Sequence, residues 1–152
     1  MKSDSRLSAI LHTVLHMAEA GRAMTSAELA RHMNTNPVVV RRAMAGLRRA
    51  GLLRSEKGRG GGWEIAADLS QVSLRQIHDA IGAPPLLAAG IRLEHPACLV
   101  EQAVNNALQP AFAEAEALLV ERLSAVTLAE LAADFKGRAA SHRAQHKDWF
   151  NV

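Results

Sequence analysis

The chain has 152 residues, 49% of them apolar but only 3% aromatic, and a formal net charge of +3. That length fits one domain with room for an appended segment, and a core short of aromatics must be built from Leu, Ala, Val, Ile and Met, which favours helices. No apolar run is long enough to form a membrane-spanning helix. The only cysteine, Cys98, excludes an internal disulfide. Together with an N-terminus (MKSDSRLSAI) that lacks a signal-peptide pattern, it gives the expectation of a cytoplasmic chain with no membrane partner.

The first predicted helix runs from Ser5 to Ala20 and stops at Gly21. Leu7, Ile10, Leu11, Val14 and Ala18 repeat at helical spacing as its core stripe, and Leu15 lies off that stripe. Thr25-Ser26-Ala27-Glu28 reads as a capping box opening a second helix to Met33, with Leu29, Ala30 and Met33 inward. Asn34-Thr35-Asn36 is a turn. Asn36 is a good N-cap and Pro37 sits where proline is tolerated, so a third helix runs to Ala50 and ends at Gly51. Its buried stripe is Val40, Ala43, Met44 and Leu47, while Arg41, Arg42, Arg48 and Arg49 occupy the opposite side.

Leu52–Glu56 and Trp63–Ala66 read as two short strands joined by Lys57-Gly58-Arg59-Gly60-Gly61-Gly62. Leu69–Ile81 reads as a short helix capped by Ser70 or Ser73, and Gly82–Glu94 as a Pro/Gly/Ala-rich linker. Pro96 opens a long helix toward Val126, with a kink or break expected near Asn106 because Pro110 removes a donor. Thr127-Leu128-Ala129-Glu130 is a second capping box, starting a short helix to Phe135. The rest is a polar, basic tail. The fold class is therefore mainly α with a small β-hairpin. The domain reading is a winged helix-turn-helix over 1–82, a linker or sensory loop over 83–95, a dimerisation helix with a capping helix over 96–135, and a tail over 136–152.

Charge and motif agree on function. Residues 1–66 carry 11 Lys/Arg against 5 Asp/Glu, whereas residues 67–152 carry 7 against 10. A basic head on an acidic scaffold suits an anionic partner. A helix fits the major groove, and Val38, Val39, Arg41 and Arg42 occupy the early exposed positions that meet base edges. Arginine pairs bidentately with guanine and valine touches a thymine methyl. Arg48 and Arg49 suit phosphates, and Thr35 and Asn36 of the turn complete the helical set. In the hairpin, Lys57 and Arg59 bring charge, while Gly60 and Gly61 let backbone N–H groups approach a phosphate. A nucleotide-binding loop fits badly, because Trp63 stands where a third glycine would be and a strand follows.

Residues 5–133 resemble the Rrf2 family of winged-helix transcription regulators, the IscR/NsrR/CymR type. The matching segments are NTNPVVVRRAM, LRRAGLL, KGRGGGWEIA, VSLRQIHDAI and the long helix ending in AVTLAEL; NTNPVVVRR and HPACLVEQAV are nearest to the cluster-free YwnA-like branch. The resemblance implies a homodimer paired through the long helix, each head reading half of a double-stranded operator, typically as a repressor. By position it implies base contacts from Val38, Arg41 and Arg42, and wing contacts from Lys57 and Arg59. Cluster-binding members carry three cysteines near the linker. This chain has Cys98 alone, so no iron–sulfur cofactor is expected.

Cys98, expected in the first turn of the long helix, is either a redox thiol or a small buried apolar residue. On the long helix, Ala103, Ala107 and Ala111 recur at four-residue spacing beside Leu108, Phe112, Leu118, Leu119 and Leu123, a face suited to pairing. His12/His16, with Glu19 three residues on, and His142/His146 are spaced for metal, but neither pair has the H-E-x-x-H glutamate. No metal is expected, and no acid/base or nucleophile constellation points to an enzyme. The reading is thus a transcription regulator answering a redox or small-molecule signal. Its alternatives are a helical protein-interaction module or effector sensor without specific DNA binding, and a His-based metal protein.

Overall fold

The computed structural model describes residues 6–58, 61–87 and 98–145, with side chains to 138. Helix α1 (Arg6–Ala20) is followed by α2 (Ser26–His32) and α3 (Pro37–Arg49), then by strands β1 (Leu53–Glu56) and β2 (Gly62–Ile65), and by α4 (Leu74–Ala80), α5 (Leu99–Ser124) and α6 (Leu128–Gln145). The strands form an antiparallel hairpin in the register Leu53↔Ile65 to Glu56↔Gly62. The mainly helical architecture with one small hairpin is the fold class expected.

One core sits between α1, α2, α3, α4 and the hairpin. Ile10, Leu29, Val40, Met44, Leu47 and Ile77 are almost fully buried in it, and Leu128 at the start of α6 joins them. On α1 the inward face is Leu7, Ile10, Thr13, Val14 and Met17. Ala18, expected on that stripe, is only half-buried. Thr13 enters the core because its hydroxyl donates to the Ala9 carbonyl at 2.8 Å, satisfying itself within the helix.

The termini follow their capping chemistry. Thr25 and Glu28 form the reciprocal box at α2, and Thr127 and Glu130 form the same box at α6. Helix α3 ends in a Schellman motif: Leu52 N–H donates to the Leu47 carbonyl and Gly51 N–H to that of Arg48, with Gly51 at φ +76°.

Three elements depart from the sequence expectation. The stretch from Leu69 is split: a 3-10 turn over Leu69–Gln71 is capped by Asp68, Val72 is extended, and α4 begins only after Ser73, boxed with Gln76. Two capping residues, Asp68 and Ser73, start two elements. Helix α5 runs unbroken through Pro110, which removes one donor from 26 residues of ladder and leaves the rest intact. Helix α6 continues ten residues past Phe135. Gly137 costs about 1 kcal/mol against Ala in a helix interior, but the Asp134–Arg138 ion pair at 2.8 Å spans it and Ala-rich sequence follows. The stretch expected as a polar tail is therefore helical as far as Gln145.

A backbone staple joins the segment that leads into α4 to the segment between α5 and α6. Leu74 N–H donates to the Val126 carbonyl at 2.9 Å, and Leu128 N–H to that of Val72 at 2.8 Å. Further along, the Glu116 carboxylate of α5 accepts from Leu86 N–H at 2.9 Å.

Candidate nucleic-acid interface

The turn between α2 and α3 is tight. Asn34 adopts φ +47°, a conformation Asn tolerates, and Thr35 N–H donates to the Ala30 carbonyl. Asn36 Oδ1 accepts from Val38 N–H at 3.0 Å and Val39 N–H at 3.1 Å. That oxygen is committed to the helix, and only the amide NH₂ of Asn36 remains for a phosphate.

Capping fixes which way α3 faces. With Val40, Met44 and Leu47 inward at 0% exposure, Val38 and Val39 stand out at 52% and 44%. Arg41, Arg42, Arg48 and Arg49 are all exposed. Two apolar side chains held in water at the start of a basic helix have no reason in the fold of this head, and a groove carrying thymine methyls gives one.

The arginines are not equivalent. Arg48 donates to Ser55 Oγ of β1 at 2.9 Å, and its guanidinium carbon lies 6.0 Å from the Trp63 ring centre. It ties α3 to the hairpin. Arg42 and Arg49 line a groove of about 670 Å³ with Arg6, Met33, Gly46 and Ile81, between α3 and the end of α4. Arg41 lies outside that groove on the outward face. Helix α4 approaches α3 closely because residue 46 is glycine: a Cβ there would strike the Ala80 carbonyl oxygen.

The hairpin is anchored as firmly as the helix. Trp63, 9% exposed, donates from Nε1 to Ser26 Oγ at 3.0 Å, and its backbone pairs with Met24 at 2.8 and 2.9 Å. Gly62 faces the Met24 backbone with no room for a side chain. On the strands, Arg54 and Glu64 lie directly opposite and pair at 2.8 Å, which raises the Arg54 pKa. At the tip, Gly58 at φ +103° turns the chain and Gly61 N–H donates to its carbonyl at 3.0 Å. Lys57 is exposed beside it, while Arg59 and Gly60 lie outside the described residues.

An N-capped helix presenting valine and arginine outward, braced on its partner helix and flanked by a glycine-turned hairpin, is the head of a winged-helix DNA-binding protein. Residues 3–134 match the family model Rrf2, described as iron-dependent transcriptional regulator. The chain belongs to the Rrf2 family. It is 29% identical over 128 residues to YwnA of Bacillus subtilis (strain 168), named as an HTH-type transcriptional regulator, covering 84% of this chain and 95% of that protein. Among solved structures, a transcriptional regulator from Lactobacillus plantarum superposes with a TM-score of 0.68 at 21% identity, covering 93% of this chain and 97% of that one. CymR, the global cysteine regulator of B. subtilis, superposes with a TM-score of 0.59 at 19% identity, covering 88% and 98%. The protein is a DNA-binding transcription regulator and not an enzyme.

The donors present do not match the iron dependence in the family's description. An iron–sulfur cluster needs four thiolate or thiolate-plus-imidazole ligands. This chain offers one thiol, and the residues do not fit such a group. Cys98 is the N-cap of α5 rather than part of its first turn, and it is exposed, so it is not the small buried apolar residue that sequence allowed. It makes no side-chain capping bond, as expected of a weak sulfur acceptor.

Two histidines escaped the sequence reading. His78 is buried at 3% exposure, with Nε2 2.8 Å from the Pro84 carbonyl oxygen, and it fixes the start of the linker. His32 of α2 packs against His16 of α1, with ring centres 4.4 Å apart. Sixteen residues separate them, beyond the reach of any periodicity argument. The other metal-spaced pair, His142 and His146, lies outside the described side chains. No helix among the described residues is long and apolar enough to cross a membrane.

Proposed function

We propose that the chain is a cytoplasmic homodimeric repressor whose two heads occupy the half-sites of one operator. The exposed Val38–Arg42 turn of α3 carries this reading. Val38, Val39, Arg41 and Arg42 read base edges, while Thr35, the Asn36 amide and Arg49 hold the flanking backbone. Arg48 positions the wing, and Lys57, Arg59, Gly60 and Gly61 bring its tip to a phosphate or minor groove. The domain division follows: a reading head over 1–82, a linker over 83–95 and pairing elements from 96 through the end of α6, since the boundary expected at Phe135 falls inside that helix.

Pairing is supported by α5, which at about 1.5 Å per residue is ~39 Å long and has no buried residue. Val100, Val104 and Leu108 stand exposed at four-residue spacing, beside the exposed row Ala103, Ala107 and Ala111. A second groove of about 520 Å³, lined by Leu7, Leu11, Leu15, Leu131 and Phe135, leaves apolar surface on the head as well. The signal enters through the linker and α5, as oxidation of the exposed Cys98 thiol or as a small-molecule effector.

The test is selection of bound genomic fragments, followed by affinity measurements on the selected site and on random DNA. Arg41→Ala and Arg42→Ala should lose about 1–3 kcal/mol on the site and far less on random DNA. Equal losses on both would remove the base-reading role. A chain that sediments as a monomer at micromolar concentration would remove the dimer, and Cys98→Ser with unaltered oxidant response would remove the thiol switch.

A further inference from the structure

The imidazoles of His12 and His16 on α1 and of His32 on α2 form a cluster that DNA binding does not use. The ring centres of His12 and His16 lie 4.6 Å apart and those of His16 and His32 4.4 Å apart. One ring nitrogen from each can be chosen so that all three lie within 4.8 Å of one another. We propose that these three histidines bind one divalent transition-metal ion of the zinc class, fastening α1 to α2.

Zinc sits about 2.0–2.1 Å from imidazole nitrogen, which in a tetrahedron sets the nitrogens roughly 3.4 Å apart. The cluster must close by about 1.4 Å or less, within reach of side-chain rotation. His12 and His32 are exposed and free to make it, while His16 is half-buried between them. Three imidazoles with an open fourth position match the ligand type and number of an exchangeable zinc site, where water completes the shell.

The surroundings add an apolar wall to the cluster. The Phe135 ring of α6 lies 6.4 Å from His16, and Leu11, Leu15 and Leu131 line the groove beside it. An apolar wall on one side weakens competition from water for the ion. The inference stands apart from operator binding, since it requires only that α1 and α2 pack as they do.

The experiment uses the full chain, stripped with chelator and titrated with Zn²⁺ alone and with Co²⁺ alone. One saturable ion per chain is expected, with the intense visible absorption of four-coordinate cobalt and a Tm that rises with added zinc. Loss of residues that merely support metal ligands costs 10–100-fold in affinity. His12→Ala and His32→Ala should therefore each weaken binding by at least ~10-fold and abolish the rise in Tm. Both positions are exposed, so these variants keep the fold by circular dichroism even if His16→Ala does not. The double variant His142→Ala/His146→Ala should bind as the parent does. Absence of saturable binding, binding that survives His12→Ala and His32→Ala, or binding lost in the His142/His146 variant would each overturn the assignment and leave the cluster as stacked side chains.

Discussion

Replacing Gly46 by alanine separates packing from helix propensity. In the interior of α3 alanine is favoured over glycine by about 0.8–1 kcal/mol. At this position the new Cβ would run into the carbonyl oxygen of Ala80, a backbone atom that cannot rotate away, with Arg49 also close by. Adding carbon to a packed interface costs typically ~1–3 kcal/mol, and a backbone clash belongs at the upper end. The net expectation is a loss of roughly 1–2 kcal/mol, which in a chain of this size lowers Tm by about 2–8 °C. Gly137 provides the matched control. It is also helical but nothing lies within 4 Å of its Cβ position, so Gly137→Ala should gain up to about 1 kcal/mol. Urea and thermal unfolding of both variants measure the difference. Gly46→Ala as stable as the parent would show that α3 and α4 do not meet at Gly46 and Ala80, and that the groove containing Arg42 and Arg49 is wider than this contact makes it.

Asn36→Ala removes the acceptor for two N–H groups at the start of α3 and should cost about 1 kcal/mol, whereas Asn36→Asp should retain the cap; equal losses in thermal melts would contradict the capping role. Arg49→Ala should weaken binding to all DNA alike and reduce the slope of log affinity against log salt by about 1, with an unchanged slope excluding a phosphate contact. Acid stability follows from the capping carboxylates. Hydrogen bonds from Thr25, then Arg22, hold Glu28 at a pKa of about 2, and Thr127 and Ser70 lower those of Glu130 and Asp68. A depressed folded-state pKa gives stability that is complete above the unfolded value, near 4.5 for the glutamates and 3.8 for Asp68, and is lost as pH falls through the folded one. Melts of Glu28→Gln, which still caps but cannot titrate, should fall less steeply between pH 5 and 2 than those of the parent; identical profiles would assign the acid sensitivity elsewhere.

The parts legible in the sequence were those written in neighbouring residues. Asn36-Pro37, Thr25 with Glu28, Gly51, and Thr127 with Glu130 each fix a terminus by local hydrogen bonding, and α3 with its outward arginines follows from them. What was not legible depends on partners far along the chain. Gly46 reads as a weak helix residue until Ala80 stands against it. Arg48 reads as an arginine tied to nothing in the fold until Ser55 and Trp63 stand beside it. His12 and His16 read as a bare pair until α2 brings His32 over them. The extension of α6 past Gly137 turned on an ion pair competing with glycine, a balance too fine for pattern alone.

The staple between Val72–Leu74 and Val126–Leu128 has a mechanical consequence. It clamps the C-terminal end of α5 to the reading head through main-chain bonds, which no side-chain chemistry can release. The Cys98 end carries no such clamp among the described residues. If the thiol is the switch proposed above, its effect must travel along α5, past the Glu116–Leu86 hydrogen bond, to an end that main-chain bonds hold fixed on the head. In the proposed dimer the fixed end of α5 would set the spacing and tilt of the two recognition helices, so such a switch would act by detuning the ruler rather than by unfolding the reader.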